Sequence, residues 1–221
     1  STASYDYAAG GARIRKTVDG VTTEYHYNNG ALLSESRENH DKIHYYYDAA
    51  GSIASIGYQK EGNPEHSYFF TYNAQGDVIA IYRSEDSRLV GTYEYDPWGR
   101  LLGEYPTALD TDGITKRNPI RYRSYYYDRE TGLYYLNARY YDSSIRRFLN
   151  ADSVISCPSG VIQGYNLFVY CCGDPVNLSD PSGNSPWLKD IFARIVAALT
   201  RSGCGDSNNT VQAPAPTSTP T

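Results

Sequence analysis

Five times in the first hundred residues the same short pattern returns: tyrosines in alternation, an Asp or Asn, a few small residues, a glycine and an aliphatic stretch. It reads Tyr5-Asp-Tyr7-Ala-Ala-Gly10-Gly11, then Tyr25-His-Tyr27-Asn-Asn-Gly30 before Leu32-Leu33, then Tyr45-Tyr-Tyr47-Asp48-Ala-Ala-Gly51 before Ile53 and Ile56. It returns at Tyr72-Asn-Ala-Gln-Gly76 before Val78 to Ile81, and at Tyr93-Glu-Tyr95-Asp96-Pro-Trp-Gly99 before Leu101-Leu102. Tyr7, Tyr27, Tyr47, Tyr72 and Tyr95 thus recur at steps of 20 to 25 residues. Such a unit reads as a strand, a tight turn and a second strand. The Asp or Asn side chain bonds its own backbone at the start of the turn, and glycine supplies the positive φ that closes it. Alternation on both sides is the period of a sheet with two distinct faces. Two strands per unit, repeated, predict a long antiparallel meander, an array too regular for an ordinary β-sandwich.

Composition agrees. The chain has 24 Tyr against 5 Phe and 2 Trp, and tyrosine suits a half-buried pleated surface, with its ring on the core and its hydroxyl at the rim. A helical bundle is therefore not expected. With 20 basic and 25 acidic side chains the net charge is −5, which removes the footprint of a nucleic-acid partner. No apolar run reaches the roughly 18 residues that span a bilayer, so a membrane partner is not expected for this piece. Ser1 opens no secretory signal and the chain has no Met, so we expect it to be a piece of something longer, with any export signal upstream. Cys157, Cys171, Cys172 and Cys204 form no C-x2-C pair, and His26, His40, His44 and His66 lie far from them in sequence. No metal and no cofactor are expected. Structural thiols and one or two disulfides both remain open, although adjacent Cys171 and Cys172 rarely bond each other.

The chain divides into repeats over 1–105, a denser segment over 106–184, a helix over 185–203 and a disordered tail over 204–221. The dense segment runs Tyr127-Asp-Arg-Glu-Thr-Gly-Leu-Tyr-Tyr-Leu-Asn-Ala-Arg-Tyr-Tyr-Asp142 and then Arg147-Phe-Leu-Asn-Ala-Asp152. It predicts a hairpin turning at Asp128–Gly132 and, further on, a short buried stretch from Tyr165 to Tyr170. Ser185 is a fair N-cap with Pro186 behind it. Trp187, Leu188, Ile191, Phe192, Ile195, Val196 and Leu199 line one apolar helical face that ends at Gly203.

These residues resemble the Rhs repeat-associated core domain, the module that closes the YD-repeat shell of bacterial Rhs proteins, toxin-complex C subunits and teneurin-like proteins. The resemblance covers residues 1 to about 184. It implies a mainly β fold: an antiparallel YD-repeat strip that is part of a hollow β-shell, with a core plug and a short C-terminal amphipathic helix. It also implies a C-terminal cargo in cis, often a toxin, cut free by the core acting once as an aspartyl autoprotease, and a secreted or cell-surface location. Matched residue by residue, the catalytic candidates are Arg139, Asp152 and Asp180. The cut motif is Asp180-Pro-Ser-Gly-Asn184, with cleavage between Asn184 and Ser185. Two positions depart from the family's pattern: Asn184 stands where Leu is usual, and Ser153 follows Asp152 where Pro is usual. A cleaving and a non-cleaving member both stay open.

Two close aspartates cut a peptide bond by dividing roles. They cannot both ionise at about 3 Å, so the charged one activates water while the protonated one donates to the carbonyl. Arg139 would steady the carboxylates or the developing oxyanion. Each residue also has a plain alternative: Asp180-Pro-Ser-Gly is a good type I turn, Asp152 can cap backbone amides, and Arg139 can pair with Asp142. The helix after the cut reads as a segment docked on the shell wall, as the stump of a cargo, or as a small amphipathic peptide with membrane affinity, for which Lys189, Arg194 and Arg201 give only a thin basic face. The competing function is a non-catalytic cell-surface repeat whose tyrosines offer stacking faces to carbohydrate. Five repeats are also too few to close a cage, so we expect the rest of the shell upstream.

Overall fold

The computed structural model describes residues 2–38, 41–152 and 166–184, all of which belong to one compact unit. The repeats form ten strands: β1 (Ala3–Tyr7), β2 (Arg13–Val18), β3 (Val21–Asn28), β4 (Ala31–Arg37) and β5 (Lys42–Tyr47), followed by five more. These are β6 (Ile53–Gln59), β7 (His66–Tyr72), β8 (Val78–Arg83), β9 (Leu89–Tyr95) and β10 (Leu101–Pro106). They make one antiparallel sheet in sequence order, the meander expected from the repeat. It does not close into a barrel.

The turns repeat atom for atom. Asp48 Oδ1 accepts the amides of Ala50 and Ser52 at 2.8 and 2.9 Å. Asn73 Oδ1 accepts those of Gln75 and Asp77, and Asp96 Oδ1 those of Trp98 and Arg100. The glycine that completes each turn has φ of 79°, 87° and 85° at Gly51, Gly76 and Gly99, a region that strains any residue with a Cβ.

The last tyrosine before each turn does more than cover the core. Tyr47 donates its hydroxyl to the Leu32 carbonyl at 2.8 Å, Tyr72 donates to Ile53, and Tyr95 donates to Val78 at 3.0 Å. Each of these carbonyls lies just past the turn of the preceding unit. The phenol is therefore a staple between neighbouring hairpins, and phenylalanine could not replace it. Tyr7, Tyr27, Tyr47 and Tyr72 also sit at shifts of strand register, where a bulge increases the local twist.

Beyond a one-turn helix, α1 (Ile114–Arg117), the chain forms a second antiparallel sheet of four short strands. They are β11 (Tyr126–Asp128), β12 (Leu133–Tyr135), β13 (Tyr140–Asp142) and β14 (Arg147–Phe148). The hairpin expected at Asp128–Gly132 joins the first two, closed by the Gly132 amide on the Asp128 carbonyl at 2.8 Å. Alternation sorts the aromatics onto two faces. Tyr126, Tyr135 and Tyr140 face the ten-stranded sheet and join the core around Tyr25, Ile43 and Ile56. Tyr127, Tyr134, Tyr141 and Phe148 form one cross-strand row. They pack in a second core with Tyr122, Tyr125 and Tyr170.

Buried charge joins the two sheets. The Arg13 guanidinium on β2 grips Asp128, and Lys16 reaches the same carboxylate at 2.9 Å. Arg13 also lies 4.8 Å from the Tyr25 ring and 4.5 Å from the Tyr135 ring, a cation over π-faces in a desolvated place. Three core tyrosines hold the last turn of the strip: Tyr122 donates to Pro97, Tyr141 to Trp98 and Tyr134 to Gly99.

The stretch expected to be buried from Tyr165 to Tyr170 is corrected over its described part. Only Tyr170 is buried, while Leu167 and Phe168 are exposed. This segment runs beside the edge strand β14, where the Phe148 amide bonds the Phe168 carbonyl, so one side of it meets solvent. The expected helix over 185–203, the tail and Ser185 lie outside the described residues. Of the cysteines, Cys171 is a buried free thiol and Cys172 is disulfide-bonded, so the adjacent pair do not bond each other.

Candidate active site

Arg139 follows β12 across a tight reversal in which Asn137 has φ of 61°, and the Leu136 amide bonds the Arg139 carbonyl at 3.0 Å. That reversal drives the side chain inward, where its guanidinium lies 3.6 Å from the Phe148 ring. Asp152 lies beyond β14 and is anchored by its amide on the Leu167 carbonyl at 2.9 Å. Asp180 opens the Asp-Pro-Ser-Gly turn, and its amide donates to the Tyr125 hydroxyl at 2.9 Å.

The three sequence candidates converge. Arg139 NH2 lies 2.9 Å from Asp152 Oδ2 and 3.2 Å from Asp180 Oδ2, with all three side chains at most 4% exposed. Arg139 does not pair with Asp142, which instead accepts from the Ser144 amide and hydroxyl. At Asp180 the turn is present, and the same carboxylate also meets Arg139. Its Oδ1 accepts the Gly183 amide at 2.9 Å and the Asn184 amide at 3.1 Å, while Oδ2 faces Arg139. Arg139 also donates through Nε to the Gly183 carbonyl and through NH1 to the Leu167 carbonyl. The backbone of Gly183 and Asn184 is thereby clamped by a carboxylate on its amides and a guanidinium on a carbonyl.

One guanidinium thus meets two buried carboxylates, an acid pair beside a backbone carbonyl of the kind that general acid–base chemistry uses. Burial pushes the Arg139 pKa below its ordinary value, against the opposing pull of Asp152 and Asp180. Gly183 is required by space as well as by conformation. Its φ is 75°, and a Cβ would meet the Leu136 carbonyl oxygen at 2.6 Å and the Arg139 amide at 3.2 Å.

Sequence reasoning missed the supporting residues. The Tyr125 hydroxyl accepts the Asp180 amide and lies 3.2 Å from the Tyr170 hydroxyl behind it, and Phe148 floors the guanidinium. Each looked like any other aromatic of the core, and only its position relative to Asp180 and Arg139 gives it a place in the site.

The teneurin YD-shell family model matches residues 58–170. The tRNA nuclease WapA of Bacillus subtilis (strain 168) is 37% identical over 190 residues, 84% of this chain and 8% of that protein. Toxin subunit YenC2 of Yersinia entomophaga is 34% identical over 105 residues, 47% of this chain and 10% of that protein. The crystal structure of TcdB2-TccC3-Cdc42 shares the fold, with a TM-score of 0.64 at 24% identity, over 89% of this chain and 9% of the other. The Photorhabdus luminescens Tc holotoxin pore does so with a TM-score of 0.62 at 23% identity, over 85% and 9%. The chain therefore spans a tenth or less of the length of these relatives.

Proposed function

Because this chain belongs to the teneurin YD-shell family, as a shell segment with toxins among its relatives, we propose that its last turn is a self-cleavage site that frees a C-terminal cargo. The observation that carries this reading is the meeting of Asp152 and Asp180 on one nitrogen of Arg139, against the backbone of Gly183 and Asn184. In the proposed step a water attacks the Asn184 carbonyl carbon and gives a proton to Asp152. The bond to the Ser185 nitrogen then breaks, and that nitrogen receives the proton. Asp180, occupied with backbone amides, holds the turn in place, and Arg139 stabilises the charge that develops on the carbonyl oxygen. The substrate is tethered in cis, so proximity supplies much of the rate.

A shell continuing upstream and a toxin-type cargo in cis are the partners of this reading, and a secreted or cell-surface location belongs to it. No described helix is long and apolar enough to cross a membrane. Intact mass of the purified chain, measured beside Asp152→Asn, tests the proposal. The expected result is a wild-type species ending at Asn184 that the variant lacks. An uncut mass of 24.7 kDa for both would overturn it in favour of a non-catalytic scaffold.

A further inference from the structure

The turn that leads to the cut bond ends in a residue with chemistry of its own. Asn184 puts a carboxamide where the resembled pattern has the alkyl chain of leucine, and Ser185 follows it. Its main chain is held in place: the Asn184 amide donates to Asp180 Oδ1 at 3.1 Å and to Ser182 Oγ at 3.3 Å. One residue earlier, the Gly183 amide donates to the same Asp180 oxygen at 2.9 Å, and the Gly183 carbonyl accepts from Arg139. Asn184 itself is exposed, so its side chain has room to turn about the Cα–Cβ bond while the backbone stays clamped.

A water molecule has to be admitted to the Asp152 and Asp180 carboxylates, whose side chains are at most 4% exposed. The carboxamide needs no such entry. Its Nδ2 is joined to the Asn184 carbonyl carbon through Cγ, Cβ and Cα, and attack on that carbon closes a small ring. Tethering of this kind is worth an effective concentration of roughly 10⁵–10⁸ M in well-oriented cases. A carboxamide nitrogen is a weak nucleophile, so the step needs one group to take its proton and another to steady the carbonyl oxygen. Asp152 and Arg139 lie 2.9 Å apart, with Arg139 already on the Gly183 carbonyl, and have the chemistry for those two tasks.

We propose that the Asn184 carboxamide is a second nucleophile for the scission, acting beside water on the same bond; this rests on Asn184–Ser185 being the bond that is cut. Nδ2 bonds to the Asn184 carbonyl carbon, and the bond from that carbon to the Ser185 nitrogen breaks with its electron pair on nitrogen. One Nδ2 proton passes to Asp152 and from there to the Ser185 nitrogen, which leaves as a free amine. The core segment then ends in a C-terminal aminosuccinimide. No water is consumed, and nothing is oxidised or reduced. Leucine closes no such ring, so Asn184 gives this chain an end that the usual pattern cannot form.

Intact mass of the full 221-residue chain, held in dilute hydroxylamine or in buffer alone and then quenched in acid, tests this. Part of the fragment ending at Asn184 should be one water lighter than the hydrolysis product, and hydroxylamine should convert that part to a hydroxamate. Asn184→Leu, at an exposed position, should lose the lighter species and the hydroxamate altogether, and Asp152→Asn should lose them too. Circular dichroism identical to wild type secures both comparisons. A wild-type fragment that carries only a free carboxylate, with no hydroxamate, overturns the proposal and leaves hydrolysis standing. Asp152→Asn forming as much of the ring as wild type also overturns it, because the ring would then close without the site. An uncut wild-type chain overturns self-cleavage itself, and this inference with it.

Discussion

Raising the pH should unfold this protein in one abrupt step. Six tyrosines, Tyr25, Tyr45, Tyr125, Tyr126, Tyr134 and Tyr170, are held well above the ordinary phenol pKa by burial. In the unfolded chain they ionise near pH 10; in the fold they keep their protons. Above that pH the native state binds more protons than the unfolded state, so stability falls as pH rises. Each such tyrosine removes about 1.4 kcal/mol per pH unit. Six together remove on the order of 8 kcal/mol per unit, comparable to the whole stability of a typical domain, about 5–15 kcal/mol. The transition should therefore be complete within about one to two units above pH 10. The assay is a pH titration that follows tyrosinate absorbance and the β signal in circular dichroism on the same samples. The two should change together and steeply. A shallow tyrosinate curve centred near pH 10 with the β signal intact would refute the reasoning, because it would mean that the phenols titrate from the folded state.

Other outcomes follow from single contacts. Asp128→Asn leaves Arg13 and Lys16 buried without their shared carboxylate and should cost about 3–5 kcal/mol in urea unfolding; a loss under about 1 kcal/mol would show that the junction is not charge-dependent. Gly183→Ala forces a Cβ against the Leu136 carbonyl at φ 75° and should lower stability by about 1–3 kcal/mol while abolishing release of the C-terminal peptide in the intact-mass assay. Tyr47→Phe removes the bond to the Leu32 carbonyl and should cost about 1 kcal/mol in urea unfolding, more than the same change at the exposed Tyr46. Cys171, with its thiol pushed up to about 12 by burial, should resist iodoacetamide at pH 8 in the native protein and react once denaturant is added, as mapped by peptide mass.

The meander was legible because the repeat states its own turns: Asp48, Asn73 and Asp96 each cap the same two amides, and the glycine three residues on closes each loop. The hairpin at Asp128–Gly132 was legible for the same reason. Arg139, Asp152 and Asp180 came from the resemblance to the Rhs core, matched residue by residue, while the residues alone gave each of them an ordinary alternative. What could not be read was anything that depends on non-local meeting. Arg13 and Lys16 look like exposed strand cations until Asp128, more than a hundred residues on, lies over them. Leu167 and Phe168 misled because an apolar run at the margin of a small sheet has one side that nothing in the run itself assigns.

The sequence-ordered sheet also implies an order in time. Every strand from β1 to β10 pairs with its neighbours in the chain, so each addition closes only a short loop, and a hairpin forms in about 1–10 μs. The contact of Arg13 with Asp128 closes one of 115 residues, at an entropic cost that grows with the logarithm of the loop. The strip can zip from hairpin to hairpin long before the four-stranded sheet settles against it. The slow, rate-setting event is then the arrival of Asp128 over β2, and the Arg139 cluster, built on that late-arriving sheet, takes shape only when the rest of the molecule is in place.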